Sequence, residues 1–171
     1  MIPTLPVVRA RLCIAVAALT AGGIVRAGEP ADRSFIARAA SIHEGQRDLA
    51  RLSERKSGDA RVRRLAERID REHQAALVRL RALGVEHDFF LPDRLQDPEV
   101  RRFKRLDSVE GVAFDRVFAT TVAVGEDDAV RAFAAEAADG KSAALRAYAA
   151  ATLPMLRAGE RDALALERAL E

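Results

Sequence analysis

The sequence predicts an all-α fold: four long helices in a bundle, with a long crossover between the second and third. Three observations predict it. Alanine, leucine and arginine dominate, while the chain holds only 10 glycines, 6 prolines and 5% aromatic residues, a mixture that favours helix. Apolar residues recur at three- and four-residue spacing over four stretches of about 25 residues, and no strand-like alternation or internal repeat interrupts them. Two of the joints between these stretches are short and one is long, which sets the connectivity.

The first helix begins after Asp32, a good N-cap residue, and runs to about Lys56, with Phe35, Ile36, Ala39, Ile42, Leu49 and Leu52 on one stripe. Ser57-Gly58-Asp59 breaks it and supplies the next cap. The second helix carries Val62, Leu65, Ala66, Ile69, Leu77 and Leu80 inward and is expected to stop near Leu83, because Gly84 follows. A loop, "GVEHDFFLPDRLQDP", then leads to a short helix from about Pro98 to Leu106. The third long helix is expected from near Ser108 to about Ala138, with Val112, Phe118, Val122, Ala129, Val130, Phe133 and Ala137 inward. Gly125 is its weak point and Asp139-Gly140 its end. The last helix starts near Ser142, and Pro154 is expected to kink or split it. Short turns make neighbouring helices antiparallel, whereas a crossover of about 25 residues between the middle pair is the ferritin-like connection. The alternative is an up-down-up-down bundle with a long loop.

Residues 1–27 read as an export signal, which leaves 28–171 as a single helical bundle domain. Arg9 and Arg11 precede an apolar run from Leu12 to Val25, and Val25-Arg26-Ala27 offers small residues at the cleavage positions. That run is shorter than the about 20 residues a membrane span needs, although an uncleaved anchor is the alternative. No later segment is apolar enough to span. The expected location is therefore periplasmic or secreted. The full chain has 28 basic and 26 acidic residues, and losing Arg9, Arg11 and Arg26 leaves 25 against 26. The basic excess belongs to the leader and carries no argument for nucleic acid. The sole cysteine, Cys13, also lies in the leader, so the mature chain is expected to have neither a disulfide nor a thiolate site.

Four polar positions interrupt the apolar stripes. His43 lies seven after Ile36 and four after Ala39, and His73 lies four after Ile69 and seven before Leu80. Asp70, three before His73, shares its face. Glu126 lies four after Val122 and seven before Phe133, and Glu160 lies four after Leu156 and four before Leu164. One carboxylate or imidazole from each of four helices is how bundles build metal sites, and this donor mixture suits iron, zinc, copper or manganese. His43 and His73 fall at similar depth from the first turn. Glu126 and Glu160 are mismatched by about 9 Å along the helices, which weakens Glu160. The alternative at each position is a hydrogen-bonded core or boundary residue, since buried polar groups are normally satisfied within the protein.

Four stretches, "ADRSFIARAA", "VRRLAERIDREHQAAL", "GVAFDRVF" and "ATLPML", resemble a bacterial secreted family catalogued as a domain of unknown function. Its members are often labelled putative outer membrane proteins. The resemblance runs from about Asp32 to Leu166 and implies a ferritin-like four-helix bundle in the cell envelope. The family's helix-two histidine matches His73, with Glu72 in place of the aspartate before it, and His43 stands where members commonly carry a glutamate. A family histidine after the Phe-Asp dipeptide falls at Gly125 or Glu126 here, and another, after the Leu-Pro dipeptide, falls at Gly159. The resemblance therefore implies a metal site that is either rebuilt around His43, His73 and Glu126 or lost.

Two readings compete. One is a periplasmic bundle binding a transition metal; the other is a non-catalytic envelope module that acts by binding a partner protein. Phe89, Phe90 and Leu91 in the charged crossover support the second, unless they plug the bundle end. The basic runs "RVRR" (61–64) and "RRFKR" (101–105) read as solvated helix faces, since acidic residues interleave with the first and no aromatic platform accompanies it. Nucleophilic enzyme chemistry has little to stand on, since there is no Gly-x-Ser-x-Gly elbow, phosphate-binding glycine loop or mature cysteine; a carboxylate-based hydrolase stays open, because acidic residues are plentiful.

Overall fold

The computed structural model describes residues 30–171, and the expected export signal lies outside them. Among the described residues there are five helices: α1 (Pro30–Lys56), α2 (Ala60–His87), α3 (Asp97–Asp107), α4 (Gly111–Asp139) and α5 (Ala143–Ala169). Asp32, expected as the first cap, lies inside α1, which starts at Pro30; the cap expected at Asp59 forms, and Ser142 supplies another. The Asp59 carboxylate accepts from the Arg61 amide at 2.7 Å at the start of α2, and the Ser142 hydroxyl accepts from the Leu145 amide at 3.4 Å at the start of α5.

Four further boundary expectations are corrected. Gly84 does not end α2; the helix continues to His87 and closes on Asp88 in the left-handed region (φ 53°). Gly84 is instead a close-approach residue, because a Cβ there would meet the Phe89 carbonyl oxygen at 2.9 Å as the crossover folds back. The helix α4 begins at Gly111 rather than near Ser108, since Gly111 takes φ 63°, which a residue with a Cβ rarely adopts. Val112 therefore sits in an exposed first turn, 72% accessible, instead of pointing inward. Neither Gly125 nor Pro154 breaks its helix. Pro154 and Ala150, whose carbonyl loses its helical donor to the proline, both lie on an exposed face.

Contacts at the two ends decide the connectivity. The crossover leaves α2 beside Gly84, yet α4 starts at the opposite end, where Lys56 pairs with Glu110 at 2.8 Å and Ser57 donates to Asp115. The α5 helix ends there too, with the Ala169 carbonyl accepting from Arg61 at 3.0 Å. The crossover thus runs the length of the bundle, α1 packs on α2 and α4, and α5 packs on α4 and α2. These four pairs of long helices are antiparallel, the ferritin-like arrangement. Along the crossover α3 docks on α1 through buried Glu99, which accepts from Ser41 at 3.0 Å and from Arg102 at 3.0 Å.

The core divides into two apolar clusters, and every long helix changes cluster at the same level. The switch falls between Ile42 and Leu49 on α1, Ile69 and Leu77 on α2, Ala123 and Ala129 on α4, and Leu156 and Ala163 on α5. Between the clusters lies a buried polar layer.

Candidate functional site

The polar layer holds His43, His73 and Glu126, all with 0% exposure. Each sits on a stripe where the 3.6-residue period points it into the seam. The two imidazoles face one another, His43 Nδ1 to His73 Nδ1, at 3.0 Å. On the far side of His73, Nε2 meets Glu126 Oε1 at 2.9 Å. On the far side of His43, Nε2 meets the Tyr148 hydroxyl at 2.8 Å, and that hydroxyl lies 3.2 Å from the Ala76 carbonyl. A chain of polar contacts, Tyr148–His43–His73–Glu126, therefore links α5, α1, α2 and α4 across the bundle.

Proton bookkeeping orders this chain. Burial, reinforced by the neighbouring His73 and Arg79, holds the His43 pKa well below its ordinary value, so its ring is neutral at neutral pH. Burial also raises the Tyr148 hydroxyl above its ordinary value and keeps it protonated. If Tyr148 donates to Ala76, His43 must donate from Nε2 to Tyr148, which leaves its Nδ1 bare. His73 then donates from Nδ1, and one proton is shared between its Nε2 and Glu126. Only this order fills all four contacts at once. The reverse order, with Tyr148 donating to His43, leaves the tyrosine–Ala76 contact without a proton. Unfilled contacts are costly in a dry layer, so the first order is favoured.

Three further features mark the layer. Glu126 Oε2 has no hydrogen-bond partner, and neither does either amide atom of buried Gln46, one helical turn from His43. Two glycines make room: a Cβ at Gly125 would meet the Gln46 amide nitrogen at 2.6 Å, and one at Gly159 would meet Glu126 Oε1 at 2.9 Å.

Of the residues singled out in the sequence, His43, His73 and Glu126 are brought together. Asp70 is not, because Arg47 and Arg51 draw its carboxylate to the α1/α2 edge at 3.0 and 3.4 Å. Glu160 is half-buried and no hydrogen bond joins it to the layer. Its neighbour Gly159 lies against Glu126, so the direction of its side chain, rather than its depth, keeps Glu160 out. Tyr148 was not singled out, although it is the chain's only tyrosine and lies on the inward stripe three after Leu145. In the crossover, Phe89 and Leu91 pack on the upper cluster, while Phe90 is 86% exposed.

As a coordination sphere the layer is incomplete. Among the described residues no three His, Asp or Glu side chains converge to hold an ion, because Glu126 lies behind His73 rather than beside it. What fits a metal is the imidazole pair. Each ring turns Nδ1 to the shared gap while its Nε2 is held by an outer partner, the carboxylate of Glu126 or the hydroxyl of Tyr148, as metal-ligating histidines are usually held. A tetrahedral pair of metal–nitrogen bonds spans about 3.3 Å, close to the 3.0 Å between these nitrogens. The unpartnered oxygen of Glu126 and the Gln46 amide supply the kind of unsatisfied group that an ion or water completes.

Comparison with known proteins agrees with this architecture. The family model described as "Domain of unknown function (DUF4142)" matches residues 19–166. A DUF305 fragment from Deinococcus radiodurans superposes with a TM-score of 0.70 at 16% identity, over 83% of this chain and 96% of the other. A structure titled CopM in the Cu(II)-bound form superposes with a TM-score of 0.64 at 13% identity, over 81% of this chain and 97% of the other. At these identities the likeness is one of fold. No curated protein matches the chain.

Proposed function

We propose that this chain, which belongs to the DUF4142 family of domains of unknown function, is an exported helical bundle that binds a transition-metal ion between His43 and His73. The observation that carries the reading is the facing pair of buried Nδ1 atoms, each ring fixed from behind by Glu126 or Tyr148. The likeness to a bundle titled as copper-bound is compatible with it. Export rests on the leader-like residues 1–27. Imidazole suits zinc, copper and iron, and bound there such an ion would supply a Lewis-acid centre, with a one-electron couple for copper or iron. The chain's own residues do the rest. Tyr148 and Glu126 orient the rings, the apolar clusters exclude water, and His73 gives up the proton that lies between the two Nδ1 atoms.

The test is metal retention. Protein stripped with a chelator, loaded with Zn(II), Cu(II), Fe(II) or Mn(II) and desalted should keep one ion per chain by elemental analysis. It should also release one proton per ion bound. His73→Ala should keep none. No retained ion, or equal retention by His73→Ala, refutes the reading.

One observation favours a second reading, a scaffold without metal that acts by binding a partner protein. Every ring nitrogen of the pair already has a partner within the protein, so the chain also works as a clamp fixing the register of four helices. Under that reading His73→Ala lowers stability, and metal does not change the stability of the native protein.

A further inference from the structure

The seam contains a polar group that the imidazole chain does not use. The side chain of Gln46 is 3% exposed, and neither its amide oxygen nor its amide nitrogen has a partner. A buried primary amide offers two donors and two acceptor lone pairs, and leaving all of them empty is unfavourable unless something polar fills them. Its position is set from two sides. Gln46 lies three residues after His43 on α1, hence on the same face one turn along. It also packs against Gly125 on α4, where a Cβ would come within 2.6 Å of its amide nitrogen. The next residue on α4 is Glu126, whose Oε2 is the other unpartnered oxygen of the layer. A glutamine amide one helical turn from His43 and an oxygen of the carboxylate that holds His73 are thus both buried and both unpaired at the level of the imidazole pair.

Building on the metal reading above, we infer that Gln46 is a further donor of this site, giving its amide oxygen to the bound ion directly or through a water the ion carries. Gly125 is the residue that admits the amide. Two imidazole nitrogens leave a first-row ion with open positions, and a glutamine oxygen or a water it holds can take one of them as a weak further donor, as at copper sites.

The experiment compares native protein, Gln46→Leu, Gln46→Glu and Gly125→Ala, each stripped of metal, by calorimetric titration with Zn(II) and by thermal melts with and without the ion. Gln46→Leu keeps the size and removes the unpaired atoms, so its metal-free melting temperature should equal or exceed the native one while its Zn(II) affinity falls about 10- to 100-fold. Gln46→Glu should restore affinity to at least the native value. Gly125→Ala gains helix propensity and keeps glutamine at 46 while pushing its amide aside, so it tests the same point if Gln46→Leu folds poorly. It should lose affinity as Gln46→Leu does. Native binding with Gln46→Leu or Gly125→Ala within twofold of it overturns the role of Gln46 and leaves the imidazole site standing. A Gln46→Glu protein as weak as Gln46→Leu overturns it equally. Failure of native protein to bind Zn(II) or Cu(II) overturns the metal reading itself, and this inference with it.

Discussion

Replacing Glu126 with leucine tests whether the polar layer is a closed chain. Glu126 is fully buried and makes one hydrogen bond, to His73 Nε2 at 2.9 Å. Leucine is close to glutamate in size, so no large cavity opens, and the change isolates the polar contact. It leaves His73 Nε2 unpaired in a dry seam, at a cost of about 1–3 kcal/mol. It also removes the unpartnered Oε2, a relief that offsets part of the cost, so a net loss of about 1–2 kcal/mol is expected. With a urea slope of about 2 kcal/mol per molar for a domain of this size, the midpoint should fall by about 0.5–1 M, at unchanged slope. Urea melts followed by circular dichroism, in chelator to exclude metal, give the number directly. The double variant His73→Leu with Glu126→Leu should lose less than the two single changes summed, by at least about 1 kcal/mol, because both ends of one bond are then gone. A Glu126→Leu protein as stable as the native one would falsify the closed chain, and so would strict additivity.

Acid should loosen the metal-free protein through His43. Its pKa is lowered in the fold, so the unfolded chain binds more protons; stability is intact above about pH 6.5 and falls as pH drops below it. His43→Gln should flatten that limb in urea midpoints measured from pH 7.5 to 5, and an unchanged slope would count against it. Gly45→Ala forces a Cβ to within 2.5 Å of Glu99 Cγ and 2.8 Å of its Cβ. The overpacking, about 1–3 kcal/mol, should exceed the roughly 1 kcal/mol gain in helix propensity and speed hydrogen exchange in α3. Gly58→Ala, with nothing within 4 Å, is the control and should be neutral or slightly stabilising. In the crossover, Phe89→Ser should lower the melting temperature by several degrees and Phe90→Ser by almost none, because only Phe89 packs on the core. Equal effects would show that both rings are docked.

How far the layer was legible in the sequence depends on what each residue had to reveal. His43, His73 and Glu126 stand on apolar stripes at positions where an apolar side chain is expected, and that mismatch needs no partner to be seen. Asp70 and Glu160 looked equivalent because a spacing of three or four residues fixes a face only to about a sixth of a turn. Arg47, from another helix, settles Asp70. Helix boundaries failed for a related reason. Gly84 carries the usual signal of a helix end, but its smallness serves a loop that returns from farther along the chain. Tyr148 was invisible because a tyrosine on an inward stripe already has an apolar reason to be there. Its hydroxyl matters through His43, 105 residues away.

The α5 position of the layer makes the same point most sharply. Each long helix changes cluster at one level, and the residues there include His43, His73, Glu126 and, on α5, Gly159. A search for donors passes over a glycine and settles on the acid beside it, Glu160. Yet Gly159 is what lets the Glu126 carboxylate lie flat against α5 and reach His73, since a Cβ there would stand 2.9 Å from Oε1. The family resemblance places a histidine at this position, a side chain that could not share the space with Glu126 as it now lies. Glycine at 159 and glutamate at 126 are therefore one coupled choice. Restoring histidine at 159 should cost stability while Glu126 is present and much less in a Glu126→Ala background, a difference a double-mutant cycle reads directly. Equal costs in the two backgrounds would mean that the two positions are independent.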